Sequence, residues 1–169
     1  MDNHDKKDRI DISSDIKCEL GLGPPPEGYQ LIGRIRRINA LYVQMASRIF
    51  QEKFGSNCGE YDVLGTIYWG TKKNECLTPG EIANMMILSS PALTNRVNRL
   101  EAKGLVFRDR GAKDRRQVLI GLTPEGRKMA KEMEKIYDSL LQERLEGLEK
   151  GEQDELAALL RKMVLCFEK

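Results

Sequence analysis

The side chains in this sequence that are best suited to chemistry are the hydroxyl, amide and guanidinium groups between Ser89 and Arg99. An asparagine can form two hydrogen bonds with adenine, and an arginine can do the same with guanine. Serine hydroxyls and the first N–H groups of a helix suit phosphate oxygens. These residue types favour contact with a nucleic-acid duplex, although a solvated helix face is the alternative interpretation of each position. The residues predicted to approach DNA are Ser89, Ser90, Ala92, Thr94, Asn95, Asn98 and Arg99.

Two short helices are predicted to position these side chains. Thr78 as N-cap and Glu81 three residues later form a capping box at the start of the first helix, which is predicted to end near Met86. Ser90, followed by a proline, gives another start signal only a few residues later. Gly104 is predicted to end this second helix in a left-handed conformation. Its apolar face consists of Leu93, Val97 and Leu100. Two short helices with a tight turn between them indicate a helix-turn-helix.

A short basic hairpin is predicted after the second helix. An apolar run over 105–108 and an alternating segment over 117–122 predict two strands, with Gly111 at the bend of the polar segment between them. Between residues 96 and 116 there are eight Lys or Arg residues and three acids, whereas the whole chain has a net charge of only +2. A basic patch on a winged helix is typical of proteins that bind duplex DNA. The side chains predicted to contact phosphates from this hairpin are Arg110, Lys113 and Arg115.

Long amphipathic helices are predicted on both sides of this unit, over residues 27–54, 124–147 and 152–167. They carry more apolar side chains than one small winged domain can cover, which favours burial against a second copy in a two-fold dimer. An intramolecular core is the alternative for the first of them. The predicted fold is therefore mainly α with a small β hairpin. Its regions are a mobile N-terminal extension with a possible short helix (1–26), a helical dimerisation region (27–58 and 124–169) and a winged helix-turn-helix (59–123).

Several classes of protein are disfavoured by what the sequence lacks. It has no apolar run of the length that crosses a membrane and no secretory signal at its N-terminus, so we expect a cytoplasmic, nucleoid-associated protein. The four cysteines are widely spaced without a C-x-x-C pair, and the single histidine is His4. The sequence contains no glycine-rich phosphate loop or nucleophile elbow. We therefore expect no cofactor, no metal and no enzymatic activity.

Five segments resemble the MarR family of bacterial transcription regulators, and within it the PecS/urate-responsive branch. They are LSSPALTNRV (88–97), RLE (99–101), GLV (104–106), DRR (114–116) and LTPEG (122–126). The resemblance implies a triangular dimer held by its N- and C-terminal helices, with one winged helix in each subunit. It implies a regulator, usually a repressor, that binds a pseudo-palindromic operator. It also implies that Arg116 is the wing-tip arginine that enters the minor groove, where narrow A·T-rich stretches attract it.

The resemblance further implies a site for a small anionic, aromatic effector such as urate or salicylate. Two guanidinium groups suit a carboxylate or a urate-like anion. The urate-responsive branch carries a tryptophan in its extra N-terminal helix, whereas the corresponding position here is near Ile16 and the only tryptophan is Trp69. Another aromatic anion is therefore as good a candidate as urate, and a structural ion-pair network is the alternative to a ligand site. The implied ligand-binding residues are Asp62, Thr94, Arg96 and Arg108.

Two other functions fit the same fold. A regulator that senses oxidants would use one of the thiols, which are Cys18, Cys58, Cys76 and Cys166. Such a thiol would have to be exposed and of low pKa. A winged helix could instead serve only for contact with another protein, but such a module needs no cationic wing. DNA binding released by a small anion is the favoured hypothesis.

Overall fold

The computed structural model of the protein describes residues 7–26, 28–70, 76–109 and 118–168. The predicted fold class is confirmed, because the described residues are mostly helical with one small antiparallel hairpin. The elements are α1 (Arg9–Glu19), α2 (Tyr29–Phe54), α3 (Cys58–Gly70), α4 (Pro79–Met86), α5 (Ser90–Ala102), β1 (Val106–Asp109), β2 (Leu119–Leu122), α6 (Pro124–Leu145) and α7 (Lys150–Phe167). The chain forms two compact units that meet in sequence after Cys58.

In the first unit, the N-terminal helix α1 packs on α2. Asp8 is the N-cap of α1 and forms a capping box with Asp11, so the short helix within the N-terminal extension begins at Arg9. Both carboxylates also pair with Arg34 of α2, at 2.8 Å and 2.6 Å from its Nε and Nη2. Gly33 lies against the Ile10 side chain, where an added Cβ would stand 3.1 Å away. One arginine therefore joins the start of α1 to α2.

In the second unit, α4 and α5 form the predicted helix-turn-helix. Thr78 and Glu81 make the predicted capping box at the start of α4. The start of α5 differs from the prediction, because its N-cap is Ser89 and Ser90 is already helical. The proline after Ser90 can occupy the first helical turn, since the N–H that it lacks would have no partner within the helix there. The apolar face of α5 is buried in this unit and consists of Leu93, Val97 and Leu100.

The hairpin strands pair antiparallel, with Val106 opposite Leu122 at one end and Asp109 opposite Leu119 at the other. The predicted alternation of buried and exposed residues along β2 is interrupted at Gly121, which is buried together with its neighbours. A Cβ at Gly121 would lie 2.7 Å from the Cys76 sulfur, so the missing side chain makes room for that contact. Both faces of β2 are thus covered within this unit.

Helices α6 and α7 follow the hairpin. Thr123 caps α6 through a hydrogen bond that its Oγ1 accepts from the Gly126 N–H. The helix α7 begins at Lys150, earlier than the predicted start at residue 152, because Glu149 caps it in a capping box with Glu152. Large apolar side chains stay exposed along α7, namely Leu156, Leu159, Leu160, Val164, Leu165 and Phe167. Within the described ranges, no helix is both long and apolar enough to cross a membrane.

Candidate nucleic-acid interface

The face of α5 opposite its buried side presents polar groups to solvent. Residues four apart in a helix lie one above the other, so Asn95 and Arg99 form one exposed stripe and Thr94 and Asn98 form the next. The Thr94 hydroxyl donates a hydrogen bond to the Ser90 carbonyl at 2.9 Å, which leaves the oxygen lone pairs of Thr94 to accept from a ligand. Among the residues predicted to approach DNA, those of α5 and its cap are exposed except for Ala92, which is half-buried.

The first turn of α5 is open to an anion. Ser89 has the extended backbone of an N-cap, but its side chain makes no capping hydrogen bond to the helix. The N–H groups of the first turn have no acceptor within their own helix, and the helix dipole adds positive charge there. Ser89 and Ser90 are both exposed. This end of α5 therefore has the chemistry that suits a phosphate group.

Arg99 also forms an ion pair with Glu60, an acidic residue that was not predicted from the sequence. Glu60, in the first turn of α3, has a side chain that is only 3% exposed. Its Oε2 lies 2.6 Å from Lys103 Nζ, and its Oε1 lies 3.2 Å from Arg99 Nε. Because Arg99 and Lys103 are four residues apart, the sequence already indicated that both cations lie on one side of α5. That signal did not indicate which acid they would meet.

Arg96 lies on the same side of α5 and reaches the start of α3. Its Nη1 donates a hydrogen bond to the Gly59 carbonyl at 3.2 Å. A Cβ on Gly59 would stand 2.8 Å from the Arg96 Cζ, so glycine is required for this close approach. Asp62 lies one turn further along α3 and interacts electrostatically with Arg96. The structure therefore brings together two of the four residues predicted to bind an effector.

The other two predicted effector-binding residues lie on the opposite side of α5. Arg108 of β1 pairs with Glu101 and donates a hydrogen bond from Nη2 to Asn98 Oδ1 at 2.5 Å. Thr94 is one turn before Asn98 on that side. In this conformation the guanidinium groups of Arg96 and Arg108 therefore do not converge on one anion. Arg108 instead joins the hairpin to the exposed face of α5.

The charge of Asp62 is disfavoured where it lies. Desolvation by the surrounding protein raises the pKa of Asp62 above its ordinary value of 3.8, and the positive charge of Arg96 only partly offsets this. When folding raises the pKa of a carboxyl group, the free energy of unfolding falls as the pH rises from the unfolded-state pKa through the folded-state pKa. Asp62 is an exposed residue, so solvent limits this loss of stability and a ligand could reach the carboxyl group.

We expect Asp62→Asn to raise the melting temperature at neutral pH. The wild type loses stability as the pH rises from 3.8 through the raised pKa of Asp62, whereas the asparagine variant has no charge to desolvate. Because Asp62 is exposed, the gain should be small; circular dichroism melts at several pH values should show it growing with pH up to the raised pKa of Asp62 and staying constant above it. The matched control is Asp154→Asn, because Asp154 is an exposed aspartate on α7. A lower melting temperature for Asp62→Asn at neutral pH would mean that attraction to Arg96 outweighs desolvation.

The predicted phosphate contacts of the hairpin tip, Arg110, Lys113, Arg115 and Arg116, lie outside the described residues. Their assignment therefore stays a prediction. The strands that flank them end with Asp109 paired to Leu119.

Two of the four cysteines, Cys58 and Cys76, are poorly placed for a thiol switch. Cys58 is buried, with its sulfur 3.8 Å from the Tyr42 hydroxyl. Burial raises the pKa of the Cys76 thiol, with a smaller contribution from Asp109, and this lowers the thiolate fraction that an oxidant would attack. Cys18 and Cys166 are exposed.

Among the described residues, no group of three His, Cys, Asp or Glu side chains could hold a metal ion.

Comparison with known proteins places these features among bacterial regulators. A model described as the MarR family matches residues 59–117, which include α3, α4, α5 and β1. The HTH-type transcriptional regulator PecS of Dickeya dadantii (strain 3937) is 31% identical over 96 residues, which are 57% of this chain. This match spans 57% of the length of PecS.

Two further proteins are similar over more of their length. YkoM, an uncharacterised HTH-type transcriptional regulator of Bacillus subtilis (strain 168), is 30% identical over 112 residues, which are 66% of this chain and 70% of YkoM. A crystal structure of MepR from S. aureus in complex with DNA is 27% identical, with a TM-score of 0.71. That alignment covers 85% of this chain and 99% of the MepR chain.

Proposed function

This chain belongs to the MarR family of transcriptional regulators, and from that premise we propose that it is a repressor that binds operator DNA and releases it for a small aromatic anion. Members of this family are regulators rather than enzymes. The observation that carries the proposal is the exposed stripe of Asn95 and Arg99 on a helix whose opposite face is buried. Such a helix can enter a major groove without disturbing its own packing. The likeness to a chain crystallised with DNA, MepR, supports this use of the fold.

We propose further that the protein acts as a homodimer. Six large apolar side chains of α7 are exposed in the single chain, and five more are exposed on α2. Apolar surface of this extent on helices favours burial against another protein surface. A two-fold dimer would present two copies of α5 to half-sites about 34–36 Å apart, one duplex turn, on a pseudo-palindromic operator.

The proposed effector site is centred on Asp62 and Arg96. An aromatic carboxylate or a urate-like anion would pair with the Arg96 guanidinium and favour protonation or displacement of Asp62. Arg96 also holds α5 to the Gly59 carbonyl, so a change at Arg96 acts directly on the helix proposed to bind DNA. Thr94 and Arg108 would join this site only in a state where Arg108 leaves Glu101 and Asn98. An effector can shift the equilibrium between two such states only by binding them with different affinities.

The DNA-binding proposal is tested by selecting duplexes from a random pool with the purified protein and measuring their affinity by fluorescence anisotropy. We expect log affinity to fall linearly with log salt concentration, since lysines and arginines displace counterions from phosphates. Arg116→Ala should weaken binding to the selected duplex by at least about tenfold, whereas Lys113→Ala should mainly reduce the salt slope by about one. Wild-type affinity in Arg116→Ala would remove the wing from the mechanism.

The effector proposal is tested on the same selected duplex. Salicylate and urate at millimolar concentrations should each be titrated into the complex, with benzoate as a simpler carboxylate. We expect at least one of them to lower DNA affinity, and Arg96→Ala to abolish that response. Unchanged affinity with all three compounds would contradict the proposed effector class.

A further inference from the structure

We infer that Glu60 sets the base preference of this protein by holding Arg99 in the orientation that recognises guanine. The inference rests on the proposed function, because it requires α5 to lie in a major groove. Glu60 is not placed at the DNA surface itself. It acts through Arg99, as a positioning residue behind the helix.

Glu60 keeps its partners when DNA binds. Its carboxylate is 3% exposed and pairs with both Arg99 and Lys103. If Arg99 left, the buried carboxylate would lose a cationic partner, and a buried charge that loses a partner is destabilised. An arginine that left Glu60 to bind DNA would exchange one ion pair for another, so it gains more by contacting DNA while its Nε stays on Glu60. Arg99 is therefore expected to bind DNA without leaving Glu60.

The ion pair with Glu60 determines which donors of Arg99 remain available. Its Nε lies 3.2 Å from Glu60 Oε1, whereas the side chain as a whole is 57% exposed. The structure thus places Nε against the buried carboxylate, and a contact made through Nε leaves Nη1 and Nη2 available to a second acceptor. Two donors in this fixed fork match the O6 and N7 acceptors of guanine. Arg99 also stands one turn after Asn95 on the exposed stripe.

Lys103 has a different role from Arg99. Lys103 lies 2.6 Å from Glu60 Oε2, and its ammonium is a point charge without a fork. It neutralises the second carboxylate oxygen, so that Glu60 does not draw the whole Arg99 guanidinium inward. Glu60, with Lys103 on its other oxygen, binds Arg99 through Nε, so that Nη1 and Nη2 can bind guanine.

The test compares Glu60→Gln, Arg99→Lys and wild type on duplexes selected from a random pool by the wild type. Each guanine in the half-site is replaced in turn by adenine, and anisotropy gives the affinity ratio. We expect one guanine position at which the wild-type preference is about tenfold or more, the discrimination of a good two-donor contact. Arg99→Lys keeps the charge and should lose this preference with a similar salt slope. The matched control is Glu52→Gln, which removes a glutamate paired with an exposed arginine on α2.

Glu60→Gln should behave differently from a variant that is merely less stable. Losing the internal anion releases two cations, so affinity for unrelated duplexes should rise while the preference at the one guanine falls at least about threefold. An unchanged preference, or equal losses on selected and unrelated duplexes, would overturn the inference, as would a Glu52→Gln control that shows the same shift. If Glu60→Gln does not fold, Arg99→Lys decides, and an unchanged preference in that variant overturns the inference. A wild type that binds no duplex would instead refute the proposed function.

Discussion

Leu159→Glu is expected to convert the proposed dimer into monomers and to weaken binding to a selected duplex by at least about 100-fold. Leu159 is 54% exposed in the single chain and lies near the exposed Leu156, Leu160 and Val164 on α7. A glutamate within an apolar interface would have to be desolvated, and two-fold symmetry would place it there twice. Since both half-sites must be bound together for high affinity, dissociation of the dimer removes most of the binding free energy.

The dimer prediction is checked by analytical ultracentrifugation at micromolar concentration, followed by anisotropy on the same duplex. The matched control is Ala158→Glu, which adds the same charge at an exposed position on the other side of α7. We expect this control to sediment as the wild type does. If Leu159→Glu stays dimeric with full DNA affinity, α7 is not part of the interface, and its exposed apolar side chains need another explanation.

Gly126→Ala is expected to reduce the free energy of unfolding by more than about 3 kcal/mol, because the added methyl group would meet backbone atoms. A Cβ on Gly126 would lie 1.8 Å from the Leu105 carbonyl oxygen and 2.8 Å from its carbonyl carbon. That carbonyl is fixed in place by a hydrogen bond from the Thr123 N–H at 3.1 Å. The Thr123 hydroxyl in turn donates to the Gly104 carbonyl at 2.7 Å. The alanine can be accommodated only by moving α6 away from the end of α5.

Urea denaturation followed by circular dichroism measures this loss. Gly65→Ala is the matched control, since Gly65 lies inside α3 and a Cβ there meets no atom within 4 Å. The control should be stabilised by about 0.5–1 kcal/mol, which is the usual gain of alanine over glycine in a helix. If Gly126→Ala is as stable as the wild type, α6 can move away from the end of α5 at little cost in free energy.

Local signals in the sequence were sufficient to predict most of the elements. The capping box of Thr78 and Glu81 and the cap at Thr123 use side-chain and backbone groups within three residues of one another, so residue types alone indicate them. The apolar spacing along α5 likewise indicated which face is buried. The boundary errors at Ser90 and at the start of α7 have a local cause. Ser89 or Ser90 could cap α5, and a glutamate such as Glu149 is not a preferred N-cap residue.

The sequence by itself determined the fold class and the helix that presents polar groups, because both depend on periodicity and short-range hydrogen bonds. Its motifs also carried the resemblance to the family. The tertiary structure alone decided which charges meet. Glu60 pairs with Lys103, 43 residues away, and Arg96 reaches a carbonyl 37 residues away. Arg108 lies on the opposite side of α5 from Arg96 because the hairpin folds back on that side. No local pattern encodes such pairings, since they arise only when the packing of the apolar faces brings distant segments together.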